Sequence, residues 1–153
     1  MIRVQTEDFD VGLEIQQLRL AQRNIGAVVS FVGQVRDMNE GDAMTELTLE
    51  HYPGMTEKAL DAIVTQAKAR WDIVDVLIIH RIGQLKPQDQ IVLVAASSAH
   101  RGEAFKACEF VMDYLKTEAP FWKKEVMPSG ESRWVEAKDK DEDAKHRWQQ
   151  HKN

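Results

Sequence analysis

The spacing of apolar residues along the chain follows two periods, one typical of strands and one typical of helices. In residues 27–36 apolar and polar positions alternate, which predicts a half-buried strand. Residues 47–50 alternate in the same way, and the turn-rich segment between the two stretches favours a hairpin. Residues 73–82 and 91–96 are rich in Val, Ile and Ala and predict two buried strands.

Three other segments repeat apolar residues every three or four positions, the period of an amphipathic helix. Asp10 and Thr56 are suitable N-caps for the first two. The third begins at the serine pair 97–98 and ends before Pro120, which cannot continue a helix. About three helices with mixed or antiparallel strands around one core predict an α+β fold.

The last part of the chain contains a predicted hairpin followed by a charged tail. Residues 121–126 and 133–137, separated by a Pro-Ser-Gly turn, predict a closing hairpin. Residues 138–153 are almost uninterruptedly polar and charged, so we expect a flexible tail or a solvated helix. A length of 153 residues is typical of one domain, which we place at residues 1–137.

Composition and charge narrow the function classes. The formal net charge of -5 argues against general nucleic-acid binding, which needs a basic surface. The sequence has neither a long apolar stretch for a membrane helix nor the pattern of a signal peptide, so we expect a cytoplasmic protein. The single cysteine, Cys108, lies on the apolar face of the third helix, and we interpret it as a core residue.

Common chemical motifs are missing from the sequence. It has no Gly-rich phosphate loop, no His-Glu-x-x-His, no Gly-x-Ser-x-Gly and no Cys-x-x-Cys. The five histidines show no tight metal-ligand spacing with the cysteine, and the last two lie in the polar tail. We therefore predict neither a metal site nor a cofactor.

The sequence contains two His-Arg pairs, of which the second is a candidate for anion binding. We interpret His80 and Arg81 as a strand end whose side chains are satisfied by backbone carbonyls or a carboxylate. His100 and Arg101 begin the third helix, where unpaired backbone amides and the helix dipole favour a bound anion. A solvated first turn explains this second pair equally well, and the spacing does not decide between the two readings.

The segment around Pro120 combines amines, aromatic rings and a forced chain reversal. Lys116 lies in the last helical turn before it and Lys123 in the strand after it, with Phe121 between them. The simple interpretation is a lysine that complements the helix dipole, followed by a strand with alternating lysines. The crowding favours a walled pocket in which an amine serves as nucleophile, acid or base, joined by Arg36 at a strand end.

Long segments of this sequence are recognisable. It resembles the family of large, catalytic subunits of molybdopterin synthase in residues 49–55, 78–83, 98–101, 112–125 and 133–137. The resemblance implies an α/β-hammerhead arrangement and a sulfurtransferase. It also implies a heterotetramer built on a homodimer of large subunits, in which a small ubiquitin-like subunit carries a thiocarboxylate on its C-terminal glycine. The sulfur acceptor would be cyclic pyranopterin monophosphate, and the product would be the dithiolene of molybdopterin.

The resemblance also assigns roles to individual residues. It implies that Lys116 and Lys123 are catalytic. It implies further that the pterin substrate is bound by these two lysines together with Arg36, His100 and Arg101, contributed by one or both protomers, with Arg133 as a weaker candidate. These roles agree with the charges of the two ligands. Both the pterin phosphate and the thiocarboxylate are anions, and an acidic protein must attract them with a local group of cations.

Two other functions remain open at this point. A non-catalytic module that binds ubiquitin-like tails would use the same lysines only to hold a carboxylate. Single-stranded nucleic acid could stack on the aromatic residues of segment 121–124, but such binding usually needs a basic groove with several aromatic rings.

Overall fold

The structure of the chain is a computed structural model that describes residues 1–39, 42–135 and 139–150. In chain order its elements are β1 (Ile2–Gln5), α1 (Val11–Leu20), β2 (Ala27–Gln34), β3 (Met38–Asn39), β4 (Asp42–Ala43), β5 (Glu46–His51), α2 (Met55–Arg70), β6 (Asp75–Arg81), β7 (Gly83–Leu85), β8 (Gln90–Ser98), α3 (Arg101–Glu118), β9 (Phe121–Val126), β10 (Ser132–Val135) and α4 (Asp139–Gln150).

Two four-stranded sheets form the frame. The larger sheet has the order β1-β6-β8-β2, with β1 parallel to β6 and the other neighbours antiparallel. The smaller sheet has the order β10-β9-β5-β7 and is antiparallel throughout. The α+β class predicted from the sequence is confirmed.

Helices cover both faces of the larger sheet. Ile78 and Val94 belong to the cluster that α2 and α3 complete on one face, with Phe110 fully buried in it. Their strand neighbours Ile79 and Leu93 contribute to the cluster around α1 on the opposite face. Because β6 and β8 are buried on both faces, they appear in the sequence as continuous apolar runs rather than as alternating ones.

Local side-chain contacts fix where the first two helices begin. The Asp10 carboxylate accepts the backbone N–H of Leu13 at 3.0 Å, so the predicted cap of α1 is confirmed. Helix α2 begins one residue before the predicted cap, at Met55, with Gly54 as its N-cap at φ +86°. The Thr56 hydroxyl instead donates to the carbonyl of Tyr52 at 2.8 Å.

Of the two hairpins that the sequence predicted, one is wrong and one is confirmed. β2 and β5 do not form a hairpin, because β2 pairs with β8 in the larger sheet and β5 pairs with β9 and β7 in the smaller one. The short pair β3 and β4 lies between them in the chain. The closing hairpin is confirmed, since β9 pairs with β10 from Val126 opposite Ser132 to Lys123 opposite Val135.

The described part of the chain contains four helices, where the sequence predicted about three. The fourth, α4, lies in the charged tail and packs on α3. The Trp148 indole N–H donates to the Asp113 carboxylate at 2.6 Å, and its ring meets Trp71 and Phe110 edge-on. The predicted boundary at residues 137 and 138, and residues 151–153, lie outside the described residues. Within the described ranges no helix is long and apolar enough to cross a lipid bilayer.

Candidate active site

A cavity of about 490 Å³ lies between the two sheets, at the C-terminal end of α3. The end of β2, the last turn of α3 and the inner face of β9 form most of its wall. Three of the cationic residues predicted from the sequence line it, namely Arg36, Lys116 and Lys123. The structure therefore brings together residues that are up to 87 positions apart in the chain.

The chain reversal at Pro120 places the two lysines on one cavity. Helix α3 ends at Glu118, and Ala119 is already extended at ψ 134°. Strand β9 begins at Phe121, and Lys123 on it lies opposite Leu49 of β5. The helix end supplies one lysine and the strand start the other, so both face the same space.

Alternation along β9 decides which side chains enter the cavity. Phe121, Lys123 and Glu125 line it. Lys124 faces the other side of the sheet, where its ammonium group lies 5.9 Å from the centre of the Trp134 ring. The predicted strand with one lysine inward and one outward is confirmed.

Glu125 is a cavity residue that the sequence reasoning missed. Its side chain is 2% exposed, and the Arg133 Nε–H donates to its carboxylate at 3.1 Å. The alternation of Phe121, Lys123 and Glu125 on one strand face was the signal that could have found it. Arg133 contacts the cavity through Glu125, and it also lines a separate depression at the β9-β10 turn.

His80 is a second cavity residue that was missed. Its Nδ1–H donates to the carbonyl of Arg81 at 2.8 Å, which confirms the predicted strand-end pairing with the backbone. Its ring also stacks on Phe121, with 3.7 Å between ring centres and 13° between planes. Burial, and then the nearby charges of Lys116 and Lys123, lower the pKa of His80 to about 3.

His100 and Arg101 do not join this cavity within one chain. Both are exposed and lie at the N-terminal end of α3, where His100 is the N-cap and makes no capping hydrogen bond through its side chain. Fifteen residues separate Arg101 from Lys116 on the same helix, a rise of roughly 22 Å at 1.5 Å per residue. Of the five predicted site residues, one chain therefore brings three together.

The charge balance of the cavity favours an anionic ligand. Lys116 is exposed and makes no hydrogen bond or ion pair with any residue in the described part of the chain. The two acidic residues of the lining are Glu125, which is paired with Arg133, and Asp141 at the start of α4. The lining thus contains three cationic side chains and two carboxylates, which gives the wall a net positive charge on an acidic protein.

Cys108 takes no part in the cavity. It is 4% exposed and its thiol lies 3.7 Å from the carbonyl oxygen of Val94. Burial raises the pKa of the thiol to about 11. The interpretation of Cys108 as a core residue is confirmed, and sulfur chemistry at this site would require sulfur from elsewhere. Within residues 1–39, 42–135 and 139–150, no three His, Cys, Asp or Glu side chains are grouped as metal ligands.

Fold and site together define a class, a small α+β protein with a cationic pocket between two sheets that is suited to anionic substrates. The chain belongs to the MoaE protein family, whose model matches residues 4–118.

Its relatives share nearly the whole chain. It is 63% identical to the molybdopterin synthase catalytic subunit of Ralstonia nicotianae, over 96% of this chain and 83% of that one. A solved structure of molybdopterin cofactor biosynthesis protein E from Burkholderia multivorans is 56% identical, with a TM-score of 0.82 over 97% of this chain and 96% of that one. The crystal structure of molybdopterin synthase from Staphylococcus aureus is 34% identical, with a TM-score of 0.80 over 88% and 96% of the two chains.

Proposed function

We propose that this chain is the catalytic subunit of a molybdopterin synthase. It transfers sulfur from the thiocarboxylated C-terminal glycine of a small ubiquitin-like subunit to cyclic pyranopterin monophosphate, and so forms the dithiolene of molybdopterin. The observation that carries the proposal is the meeting of Arg36, Lys116 and Lys123 in one cavity. The catalytic-subunit name of its 63% identical relative supports the same reaction.

The two lysines are the catalytic groups of the proposal. A thiocarboxylate that enters the cavity presents a negative sulfur and a carbonyl oxygen, and an ammonium group can orient and polarise that carbonyl. The same amines can exchange protons as sulfur adds to the pterin side chain and the cyclic phosphate opens. We place Lys116 nearest to the incoming glycine, because it makes no hydrogen bond or ion pair with the residues that the structure describes.

Substrate binding in the proposal uses Arg36 from the same chain and His100 with Arg101 from a second copy. The rise of roughly 22 Å along α3 separates the His-Arg pair from the lysines of its own chain, so a shared site needs two protomers. Two large subunits would then form the central dimer of a heterotetramer, with one small subunit on each. The transfer as proposed uses no metal and no cofactor, and its predicted location is the cytoplasm.

A reconstituted reaction tests the proposal. Purified chain is mixed with the thiocarboxylated small subunit and the cyclic pterin, and dithiolene product is measured after oxidation to a fluorescent pterin derivative. The same small subunit with an ordinary carboxylate is the matched control, because it can dock but has no sulfur to transfer. We expect product only with the thiocarboxylate.

Two alternative functions predict other results. A module that only binds ubiquitin-like tails would bind both forms of the small subunit and form no product. Nucleic-acid stacking on segment 121–124 has little support, because the Phe121 ring is already stacked on His80. Binding of single-stranded DNA that weakens with salt would support that reading, and we expect no such binding.

A further inference from the structure

The buried imidazole of His80 lines the cavity, and the proposed sulfur transfer assigns no role to it. It lies on β6, between Val4 of β1 and Val92 of β8, and is 4% exposed. A histidine in such a core position is usually satisfied on both ring nitrogens. Among the described residues, the one hydrogen-bond partner of His80 is the carbonyl of Arg81.

That one hydrogen bond determines what the rest of the ring can do. A carbonyl oxygen only accepts, so the proton of the neutral ring is on Nδ1. Nε2 then has a lone pair and no proton. It is the ring nitrogen that can accept a hydrogen bond from a group in the cavity. The cavity wall thus contains a buried acceptor among cationic side chains, which are donors.

The surroundings keep the ring neutral. Charged or titratable groups from five elements or their ends surround it. Lys116 of α3, Lys123 of β9 and His51 of β5 act on its charge, and Glu125 of β9, Arg36 after β2 and Asp141 of α4 line the same cavity. Burial and the lysine charges lower the pKa of His80 to about 3, so the ring carries no charge at neutral pH. A protonated ring would repel the lysines and could not accept a hydrogen bond.

His80 is also in contact with the segment that joins the two lysines. Its ring stacks on Phe121, which follows the reversal at Pro120 and precedes Lys123 by two residues. The Lys116 side chain is exposed and has no hydrogen bond or ion pair with the described residues, so it can turn within the cavity. The ring of His80 is therefore linked to both lysines. Its stacking on Phe121 connects it to the strand of Lys123, and its acceptor Nε2 is available to Lys116.

We propose that His80 is a positioning residue for the two lysines: its ring holds Phe121 and the start of β9, and its Nε2 accepts an N–H of the Lys116 ammonium group when that group turns toward a bound anion. An ammonium group has three donors, and one that is fixed by a protein acceptor leaves the other two aimed at the ligand. The role of His80 rests on the proposed function, because it acts through Lys116.

Two substitutions separate the stacking of His80 on Phe121 from its hydrogen-bond acceptor Nε2. His80→Phe keeps a flat ring that can stack on Phe121 but removes the acceptor. His80→Gln removes the ring but places an amide oxygen near the position of Nε2. We expect His80→Phe to lower the single-turnover rate of sulfur transfer by about tenfold to a hundredfold, the size of a hydrogen bond to a charged group, with little change in KM for the small subunit. We expect His80→Gln to recover a large part of the rate.

The opposite order of the two variants would overturn the proposal. A ring that serves packing alone gives an active His80→Phe enzyme and an impaired His80→Gln enzyme. An equal loss of the sulfur-transfer rate in both variants, in proportion to their loss of thermal stability, also contradicts a positioning role. Melting temperatures of the two variants are measured beside the rates for this reason.

A measurement on the free chain keeps this inference separate from the proposed function. Nitrogen-15 NMR of labelled histidines, with His80 assigned by its loss in His80→Gln, reports the tautomer directly. We expect the Nδ1–H tautomer and no titration between about pH 5 and about pH 8. An Nε2–H tautomer, or titration near the ordinary pKa, would overturn the role of His80 even if the chain makes dithiolene. Absence of product from the wild type with the expected NMR result would instead contradict the proposed function.

Discussion

At the scale of single residues, burial determines which ionisable groups are available for chemistry. Cys108 and Lys116 lie on the same helix, eight residues apart, yet the thiol is 4% exposed and the amine is exposed. Glu125 is buried as deeply as Cys108 but has an arginine partner. Each of these environments predicts a different response to substitution or to pH.

Cys108 should behave as an unreactive thiol in the folded protein. Its pKa is raised from 9.0 to about 11 by burial, so the folded state keeps the thiol proton to a higher pH than the unfolded state does. Its contribution to the free energy of unfolding is therefore complete below about pH 9 and is lost as the pH rises toward about 11. Labelling by a disulfide reagent at pH 8 should require unfolding, and labelling of the native protein within seconds would contradict the core assignment.

Arg133 should matter for stability through Glu125. Arg133→Ala leaves the buried carboxylate without this ion pair, which we expect to lower the free energy of unfolding by ~1–3 kcal/mol, toward the lower value because Arg133 is itself 39% exposed. Urea denaturation measures the change, with the exposed Arg23→Ala as a matched control. Equal stability of Arg133→Ala and the control would mean that the pair contributes nothing to the fold.

Some residues of the cavity could be predicted from the sequence and others could not. Lys116, Lys123 and Arg36 were predictable because a helix end, a proline and a strand end are local signals. Glu125 was not named and His80 was interpreted only as a strand end, because nothing in their neighbours in sequence indicates that they border the same cavity. Only the pairing of β9 with β5, and the packing of Phe121 on β6, bring them to it.

At the scale of elements, α4 shows how a charged segment can still be anchored. Its polar residues predicted a flexible tail or a solvated helix, and in the structure the contact of Trp148 with Trp71 and Phe110 holds this helix on α3. Arg70 adds a hydrogen bond from its guanidinium to the carbonyl of Trp148 at 3.2 Å. A single aromatic residue in a polar helix was the signal for this docking.

Removal of that aromatic residue should release the helix. We expect Trp148→Ala to cost ~1–3 kcal/mol, less than a fully buried Trp because its side chain is only partly buried, and to remove most hydrogen-exchange protection from residues 139–150. Helix α3 should keep its protection. Asp143→Ala, at an exposed position of the same helix, is the control, and unchanged protection of α4 in Trp148→Ala would show that other contacts hold it.

Strand order was the part of the fold that could not be predicted at this scale. Alternation located β2 and β5, a continuous apolar run located β8, and a turn between two short segments located the final hairpin. None of these patterns encodes which strands pair over long distances. The error at β2 and β5 is of this kind, because two successive strands with a turn between them usually form a hairpin and here join different sheets. Sheet assignment depends on packing between elements far apart in the chain.

At the scale of the whole molecule, the proposed site is complete only if two copies of the chain share it. A mixture of Lys116→Ala and Arg101→Ala chains tests the sharing. In a mixed dimer one site would carry both substitutions and the other none, so random exchange of subunits should restore about one quarter of the wild-type activity. A mixture as inactive as its two parents would show that Arg101 acts in its own chain or not at all.

Single-turnover product formation with Lys116→Ala tests whether the segment from Lys116 to Lys123 performs sulfur transfer. Its matched control is Lys106→Ala, an exposed lysine on the same helix. We expect Lys116→Ala to remain folded, to bind the thiocarboxylated small subunit and to form no detectable dithiolene, while Lys106→Ala reacts at the wild-type rate. Wild-type turnover by a folded Lys116→Ala protein would contradict this expectation.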